Sequence, residues 1–505
     1  PSDAMLATVR ACRSPLRPLL DCRNGSTAPL LYAFGHSHID VAWLWPLAET
    51  ERKAGRTLST QLALLDEYPE YRFLFGQPHL YCMIRDRYPE IYGRLKDAAE
   101  RGQIMPEGGM WVQADTNVSG GEALIRQFVH GKRFFQDEFG VDCKLMWLPD
   151  VFGYSGALPQ IMRGCGIPYF STAKIFWAYN GGDPFPYNTF TWEGIDGSEV
   201  LVHLCNDYNS EASPSFVADR WNGRVQKDGI SSRLMPFGYG DGGGGPTRNH
   251  LEFLRREQDL EGLPRVRIAS PIEFFKDQES SGIPDARYVG ELYFQAHRGT
   301  YTSQAKTKRG NRKSELALRE AEIWSVAAAN KDFEFPRKAI DEAWKKVLLN
   351  QFHDIIPGSS IHRVYEEAEQ TYAEVIATAE QTAAMALDSL TTNDDSALTV
   401  FNSLSWRRTA LVALAGGVEG AATESGQPLP LQKIGDETWA EVTVPSCGWA
   451  TLRPAAPVEI PSTLTCTQNL LENEHLRIRF NSCGEITSIL DKDVNRELAA
   501  GPCNS

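Results

Sequence analysis

Residues 30–45 read LLYAFGHSHIDVAWLW. The apolar run at 30–35 predicts a strand, and it gives way abruptly to His36, Ser37, His38, Ile39 and Asp40, with Trp43 and Trp45 close behind. Residues two apart on an extended segment point the same way, so His38 and Asp40 can reach one metal ion together. Imidazole plus carboxylate suits zinc, cobalt or manganese, and the C-terminal end of a barrel strand is where active sites gather. The competing reading is a polar strand end whose histidines cap backbone groups.

Outward from this stretch, short apolar runs alternate with amphipathic segments. Strands are expected at 30–35, 71–76, 104–112, 144–148, 168–173, 234–237 and 267–269, and helices at 57–68, 84–101, 121–139 and 157–163. Strands alternating with helices imply a parallel sheet with helical crossovers, and the length suits an α/β barrel or a distorted one. From about residue 284 the apolar residues recur every three or four positions, predicting helices at 315–330, 336–349 and 364–390 that pack as a bundle. Beyond residue 397, short runs separated by Gly, Pro, Asn and Ser predict the start of a β-sandwich, with Trp406, Trp439 and Trp449 expected inside it. The domain layout is therefore an N-terminal extension (1–28), an α/β barrel (29–283), a helical bundle (284–390) and an incomplete β-sandwich (397–505).

The bulk properties narrow the function. With 505 residues the chain is too long for one core, and 42% hydrophobic against 23% charged residues is a globular balance. A net charge of −14 repels phosphate backbones, so nucleic acid is not expected as a partner. No apolar run approaches the ~18 residues that span a membrane. Arg10, Arg13 and Arg17 interrupt the modestly apolar N-terminus, so a signal peptide is not expected. The ten cysteines form no CxxC pair, which favours a reduced, cytoplasmic setting. The chain stops at GPCNS just after a strand-like segment, as a fragment would, and a homo-oligomer remains compatible with the composition.

Four further segments carry candidate chemistry. In WLPDVFG (147–153) Asp150 is a lone carboxylate among apolar neighbours at a second strand end. It is either paired or metal-bound, because burial of a bare carboxylate is costly, or it caps the following helix. His353, in LNQFHD, stands where the helical region meets the barrel and reads as a core histidine or as a further ligand for the HSHID site. FGYGDGGGG (237–245) lacks the Gly-Lys-Ser/Thr of a phosphate loop; its glycines allow close backbone approach, and Asp241 at its tip is the informative residue. HRGTYT (297–302) suits sugar binding or an interdomain seam.

Taken in order, HSHIDVAWLWP, GGMWVQADTN, WLPDVFGYSGALPQI, FGYGDGGGGP, HRGTYTSQAKTKRGNRKSE, NQFHDIIPGSSI, VFNSLSW and LENEHLRIRF resemble glycoside hydrolase family 38, the α-mannosidases, in its cytosolic and vacuolar branch with bacterial relatives. The resemblance runs from about residue 30 to the end. It implies an N-terminal α/β barrel, a three-helix bundle and C-terminal β domains. It implies one divalent metal, Zn²⁺ or Co²⁺, held by His38, Asp40, Asp150 and His353, with Asp150 also the nucleophile and His36 behind the ligands. Trp43, Asp115, Tyr239 and Arg298 become expected sugar contacts. Gln113 and Gln295 stand where this branch carries Glu. Glutamine cannot donate a proton as a carboxylic acid can, so the acid/base role is assigned to Asp241.

The implied activity is retaining hydrolysis of terminal, non-reducing α-mannose from oligosaccharides. The metal would grip the 2- and 3-hydroxyls while two carboxyls carry out a double displacement. Two rivals are a metal-dependent amidohydrolase, which needs further strand-end histidines that His79, His130 and His203 do not supply, and a carbohydrate-binding protein on an impaired hydrolase fold.

Overall fold

Leu30–His36 (β1) is buried from Leu31 onward, and its parallel neighbours explain why. The computed structural model describes residues 2–177, 185–227, 229–331, 333–391, 394, 396–414, 418–458 and 463–503. The chain divides into two units, Pro1–Leu387 and Asp388–Ser505.

In the first unit nine further strands follow β1: Phe73–Leu74 (β2), Ile104–Met105 (β3), Leu145–Trp147 (β4), Tyr169–Thr172 (β5), Thr189–Glu193 (β6), Glu199–Leu204 (β7), Ser232–Phe237 (β8), Arg265–Ile268 (β9) and Arg287–Val289 (β10). They form two five-stranded sheets, β3-β2-β1-β8 with β9 also on β1, and β10-β6-β7-β5-β4. A parallel bridge between Gly108 and Met146 joins the sheets at one side. Across the other, the Leu234 N–H donates to His203 Nε2 at 3.3 Å. One face of β1–β5, β7 and β8 fills a common core: Tyr32, Phe34, Leu74, Met105, Leu145, Trp147, Tyr169, Leu201 and Leu234, with Phe274 and Phe275 of the helix Pro271–Ser281. The alternate residues of these strands join the larger core under the surrounding helices, the in–out division that strand geometry imposes.

The fold departs from the sequence reading in identifiable ways. No continuous barrel ladder runs through the described residues; the strands stop at two sheets. β6 and β7 form an antiparallel hairpin where no strand was expected, because TFTWE and EVLVHL lie close to a turn at Gly194–Gly197. The expected strands at 71–76 and 104–112 shrink to two residues each. The backbones cross there: a Cβ on Gly76 would clash with the Glu107 carbonyl oxygen, and one on Gly108, at φ +146°, would lie 2.6 Å from the Gly76 carbonyl oxygen. The predicted helix 84–101 is two helices, Pro78–Arg87 and Pro89–Glu100, divided at Pro89, since proline disfavours helical geometry in the residue before it.

Ala305–Ala328, Arg337–Asn350 and His362–Leu390 are the helices of the middle region. The first begins ten residues before the apolar pattern does, because its N-terminal half buries polar groups instead. Glu315 Oε1 accepts from the Gly120 N–H at 2.9 Å, from Asn311 Nδ2 at 3.0 Å and from Gln351 Nε2 at 3.1 Å. A hydrophobic period does not register a satisfied polar face.

The second unit is antiparallel throughout its three sheets, and Leu414, Ala421, Ala440, Val442, Val444 and Leu452 form its core. Trp406 and Trp449 are not in it: they stand 59% and 63% exposed.

Candidate active site

The C-terminal ends of β1, β4, β5, β7 and β8 deliver the charged groups of the first unit to one place. The His38 N–H donates to the Gly240 carbonyl at 2.9 Å, tying HSHID to the glycine loop after β8. Gln77 Nε2 donates to the Ile39 carbonyl at 3.0 Å, while Gln77 Oε1 accepts from the Gln113 N–H at 3.1 Å, linking HSHID to GGMWVQ. His353 follows the helix Arg337–Asn350 and lies in the turn beyond it. Its Nδ1 donates to the Gln113 carbonyl at 2.8 Å, which leaves Nε2 without a proton in the neutral ring and aimed inward.

His38, Asp40, Asp150 and His353 thus converge, with one ligand atom from each lying within 4.8 Å of the others. His38 Nε2 is 2.7 Å from Asp40 Oδ1 and 3.9 Å from Asp150 Oδ2. His353 Nε2 is 3.4 Å from Asp40 Oδ1 and 3.6 Å from Asp150 Oδ2. It is buried and has no partner in hydrogen-bond geometry, the arrangement of donors facing a shared ion. Burial opposes charge on His353, but the carboxylates of Asp150 and Asp40 outweigh it and push its pKa up to about 10. Two buried carboxylates so placed demand positive charge, and two imidazoles with two carboxylates form a donor set suited to a divalent transition metal.

Asp150 divides its oxygens. Oδ2 faces the histidines, whereas Oδ1 accepts from Lys174 Nζ at 2.6 Å and from the Tyr208 hydroxyl at 2.9 Å. Burial raises its pKa, but His353, Lys174 and His38 together hold it far below the usual carboxylate range. Lys174, at the end of β5, is 3% exposed; its ammonium lies 3.9 Å from the Trp177 ring centroid and 5.2 Å from that of Phe152. Tyr208 is buried in the segment after β7, and burial followed by the charge of Asp150 raises its pKa, keeping the hydroxyl a donor.

A cavity of about 210 Å³ opens onto these groups. Asp40, Trp43, Asp150, Lys174, Tyr208, Asp241 and Asp354 are among its walls. Asp241 follows β8, and its N–H donates to Asn209 Oδ1 at 2.8 Å. Its pKa is raised, first by burial and then by Asp150 and Asp40 against the opposing pull of His38. Asp150 and Asp241 are therefore shifted in opposite directions within one cavity, the pattern that separates a nucleophile from a proton donor. Asp354 accepts from the Ser359 hydroxyl; burial and the charges of Asp40 and Asp150 push its pKa up to about 7, with His353 opposing.

Other expected residues lie elsewhere. Asp115 Oδ1 accepts from the N–H groups of Asn117 and Val118 at 3.0 and 2.7 Å, so it closes a local turn. Tyr239 rests against the His250 ring at 5.0 Å, and Arg298 is exposed in the short helical stretch Gln295–Tyr301. None of these three, nor Gln113 or Gln295, lines the cavity. His36 accepts from Trp147 Nε1 at 3.0 Å behind His38, and burial lowers its pKa to about 3. His203 is spent on Thr189 and Leu234, His79 packs on Trp111, and His130 faces Asp341, so none extends the cluster towards an amidohydrolase site. Lys174, Tyr208 and Asp354 went unremarked in the sequence reading. Lys174 carried a usable signal as the one cation closing the apolar run 168–173, and Asp354 adjoins the singled-out His353.

The family model described as "Glycosyl hydrolases family 38 N-terminal domain" matches residues 29–296, and that of the "Alpha mannosidase middle domain" matches 295–390. Alpha-mannosidase 2C1 of Homo sapiens is 38% identical over 491 residues, covering 94% of this chain and 46% of the human protein. The alpha-mannosidase of Saccharomyces cerevisiae is 37% identical over 412 residues, covering 78% of this chain and 38% of the yeast protein. The chain spans about half the length of the curated relatives it matches. An alpha-mannosidase structure from Enterococcus faecalis V583 shares the fold with a TM-score of 0.76 at 19% identity, covering 93% of this chain and 61% of that one.

Proposed function

The chain belongs to glycosyl hydrolase family 38, and from that premise we propose that it carries the catalytic portion of a retaining exo-α-mannosidase acting on terminal α-mannose of oligosaccharides. The observation that carries the reading is the division of Asp150, with one oxygen turned to the His38–Asp40–His353 cluster and the other held by Lys174 and Tyr208. His38, Asp40, Asp150 and His353 would hold one divalent ion, zinc or cobalt. When bound, such an ion supplies a Lewis acid that grips sugar hydroxyls and offsets the buried carboxylates.

The chain's own residues account for the rest. Asp150, kept ionised, attacks the anomeric carbon through Oδ1, the oxygen not turned to the ligand cluster, and forms a glycosyl ester. Asp241, whose pKa is raised by its surroundings, delivers a proton to the departing oxygen and then takes one from the incoming water as the glycosyl ester is cleaved. Trp43 walls the sugar site, and Asp354 presents an acceptor to a ring hydroxyl. A cytoplasmic setting accords with all ten cysteines being free.

The test is hydrolysis of an aryl α-mannoside together with elemental analysis. One equivalent of divalent metal and α-mannose as first product are expected, and His38→Ala should lose metal and turnover together. First-formed β-mannose, or full metal occupancy in His38→Ala, overturns the assignment.

A further inference from the structure

Beside the catalytic cavity lies a second one of about 250 Å³, walled by Lys53, Arg56, Thr60 and the glycines 242–244. We propose that it is an oxyanion subsite for the leaving group, so that the preferred substrate is an α-mannoside whose aglycone carries a phosphate. This inference rests on the mannosidase reading above.

Two connections join the cavities. Asp241 lines the first, and Gly242, the next residue, lines the second. Trp43 lines the first and meets the Trp45 ring at 5.9 Å, and the Lys53 ammonium sits 4.2 Å over Trp45. A proton donor must reach the glycosidic oxygen, so the group beyond that oxygen leaves past Asp241, towards the glycine loop.

The glycine loop that lines the second cavity leaves two backbone donors unpaired. The N–H of Gly243 bonds the Gly240 carbonyl at 3.0 Å and that of Gly245 bonds Tyr239 at 2.7 Å, whereas those of Gly242 and Gly244 have no acceptor among the described residues. Gly242 and Gly243 hold φ of +83° and +86°, and a Cβ on Gly244 would lie 2.9 Å from the Tyr239 carbonyl oxygen. Only glycine keeps the loop in this form. Backbone amides turned out of such a loop make an anion-binding concavity. The Thr57 hydroxyl bonds the Gly243 carbonyl and ties the loop to the helix Leu47–Glu67, which bears the two cations.

Arg56 and Arg52 share Glu49, at 2.9 and 2.8 Å. Of the cations, Lys53 and Arg56 line the cavity, and Glu49, which does not line it, offsets part of the Arg56 charge. No acidic or aromatic side chain lines the cavity, so it lacks the carboxylates and the stacking surface that commonly hold a neutral sugar.

The test compares 1-O-α-mannosylglycerol with its 3-phosphate. The wild-type enzyme should favour the phosphate at least ~10-fold in kcat/KM, the scale of charge-assisted hydrogen bonds, with the preference shrinking as salt screens it. The Lys53→Ala/Arg56→Ala double variant should lose that preference while hydrolysing 4-nitrophenyl α-mannoside like the wild type. Equal rates on both mannosylglycerols, with normal aryl-mannoside turnover, overturn the subsite and leave the mannosidase reading standing. Equal rates combined with binding of free inorganic phosphate abolished by the double variant overturn the aglycone assignment in favour of a free anion. Failure to hydrolyse any α-mannoside overturns the reading on which the subsite rests.

Discussion

Replacing Lys174 by Met tests how Asp150 is armed. The ammonium is 2.6 Å from Oδ1, and Tyr208 is the second donor at 2.9 Å. Methionine is unbranched and tolerates aromatic neighbours, so it can occupy the space beside Trp177 and Phe152 while removing the charge. A hydrogen bond to a charged group contributes about 1.5–3 kcal/mol, and each ~1.4 kcal/mol is tenfold in rate, so kcat should fall by about 10- to 150-fold.

The loss should fall mainly on the second displacement. During attack Oδ1 spends its negative charge and the contact with Lys174 weakens. During hydrolysis of the ester the charge returns to Oδ1, and the ammonium stabilises it as it leaves. With 2,4-dinitrophenyl α-mannoside, stopped-flow measurements on Lys174→Met should show a burst of about one equivalent of phenolate, then slow turnover and a lowered KM. Lys174→Arg, which keeps a cation, should recover part of the rate. An unchanged kcat, or a fall in kcat/KM with no burst, would refute this division of labour.

Asp241→Asn should cost about 10²–10⁴-fold on alkyl mannosides but far less on the dinitrophenyl substrate, whose leaving group needs no proton; equal losses on both would remove Asp241 from the acid role. Glu257 is buried with neither carboxylate oxygen hydrogen-bonded, and burial raises its pKa from 4.5 to about 7. A raised acid pKa gives stability that is present below pH 4.5 and lost as pH rises to about 7, here ~1–3 kcal/mol. Glu257→Gln should flatten that window in urea titrations, and an unaltered slope would rule the group out.

How far the site could be read beforehand depended on where each residue sits. His38 and Asp40 were legible because an HxD step at a strand end places both side chains on one side whatever the remaining fold. The convergence of Asp150 and His353 on them needed the resemblance, since no local spacing joins residues 150 and 353. Lys174 and Tyr208 escaped because their role lies in a contact with Asp150 across the sheet, which no period of hydrophobicity records. For Asp115, which the resemblance makes a sugar contact, the structure adds a local role: its Oδ1 accepts from two amides of its own turn.

The same locality argument bears on the two glutamines. By the resemblance, Gln295 stands where the branch carries a carboxylate, which in isolation suggests an enzyme short of its acid. Gln295 does not line the cavity that Asp150 enters, whereas Asp241 does. A proton donor is defined by its reach and its environment, and Asp241 has both: it borders the cavity, and burial with the nearby charges of Asp150 and Asp40 favours its protonated form. Asp150, the same residue type at another strand end, is driven the other way by Lys174 and the histidines. On the proposed mechanism, the two roles follow from the different charges around each carboxylate. Deleting the Lys174 cation should narrow the separation between them, which is why that substitution probes both carboxylates at once.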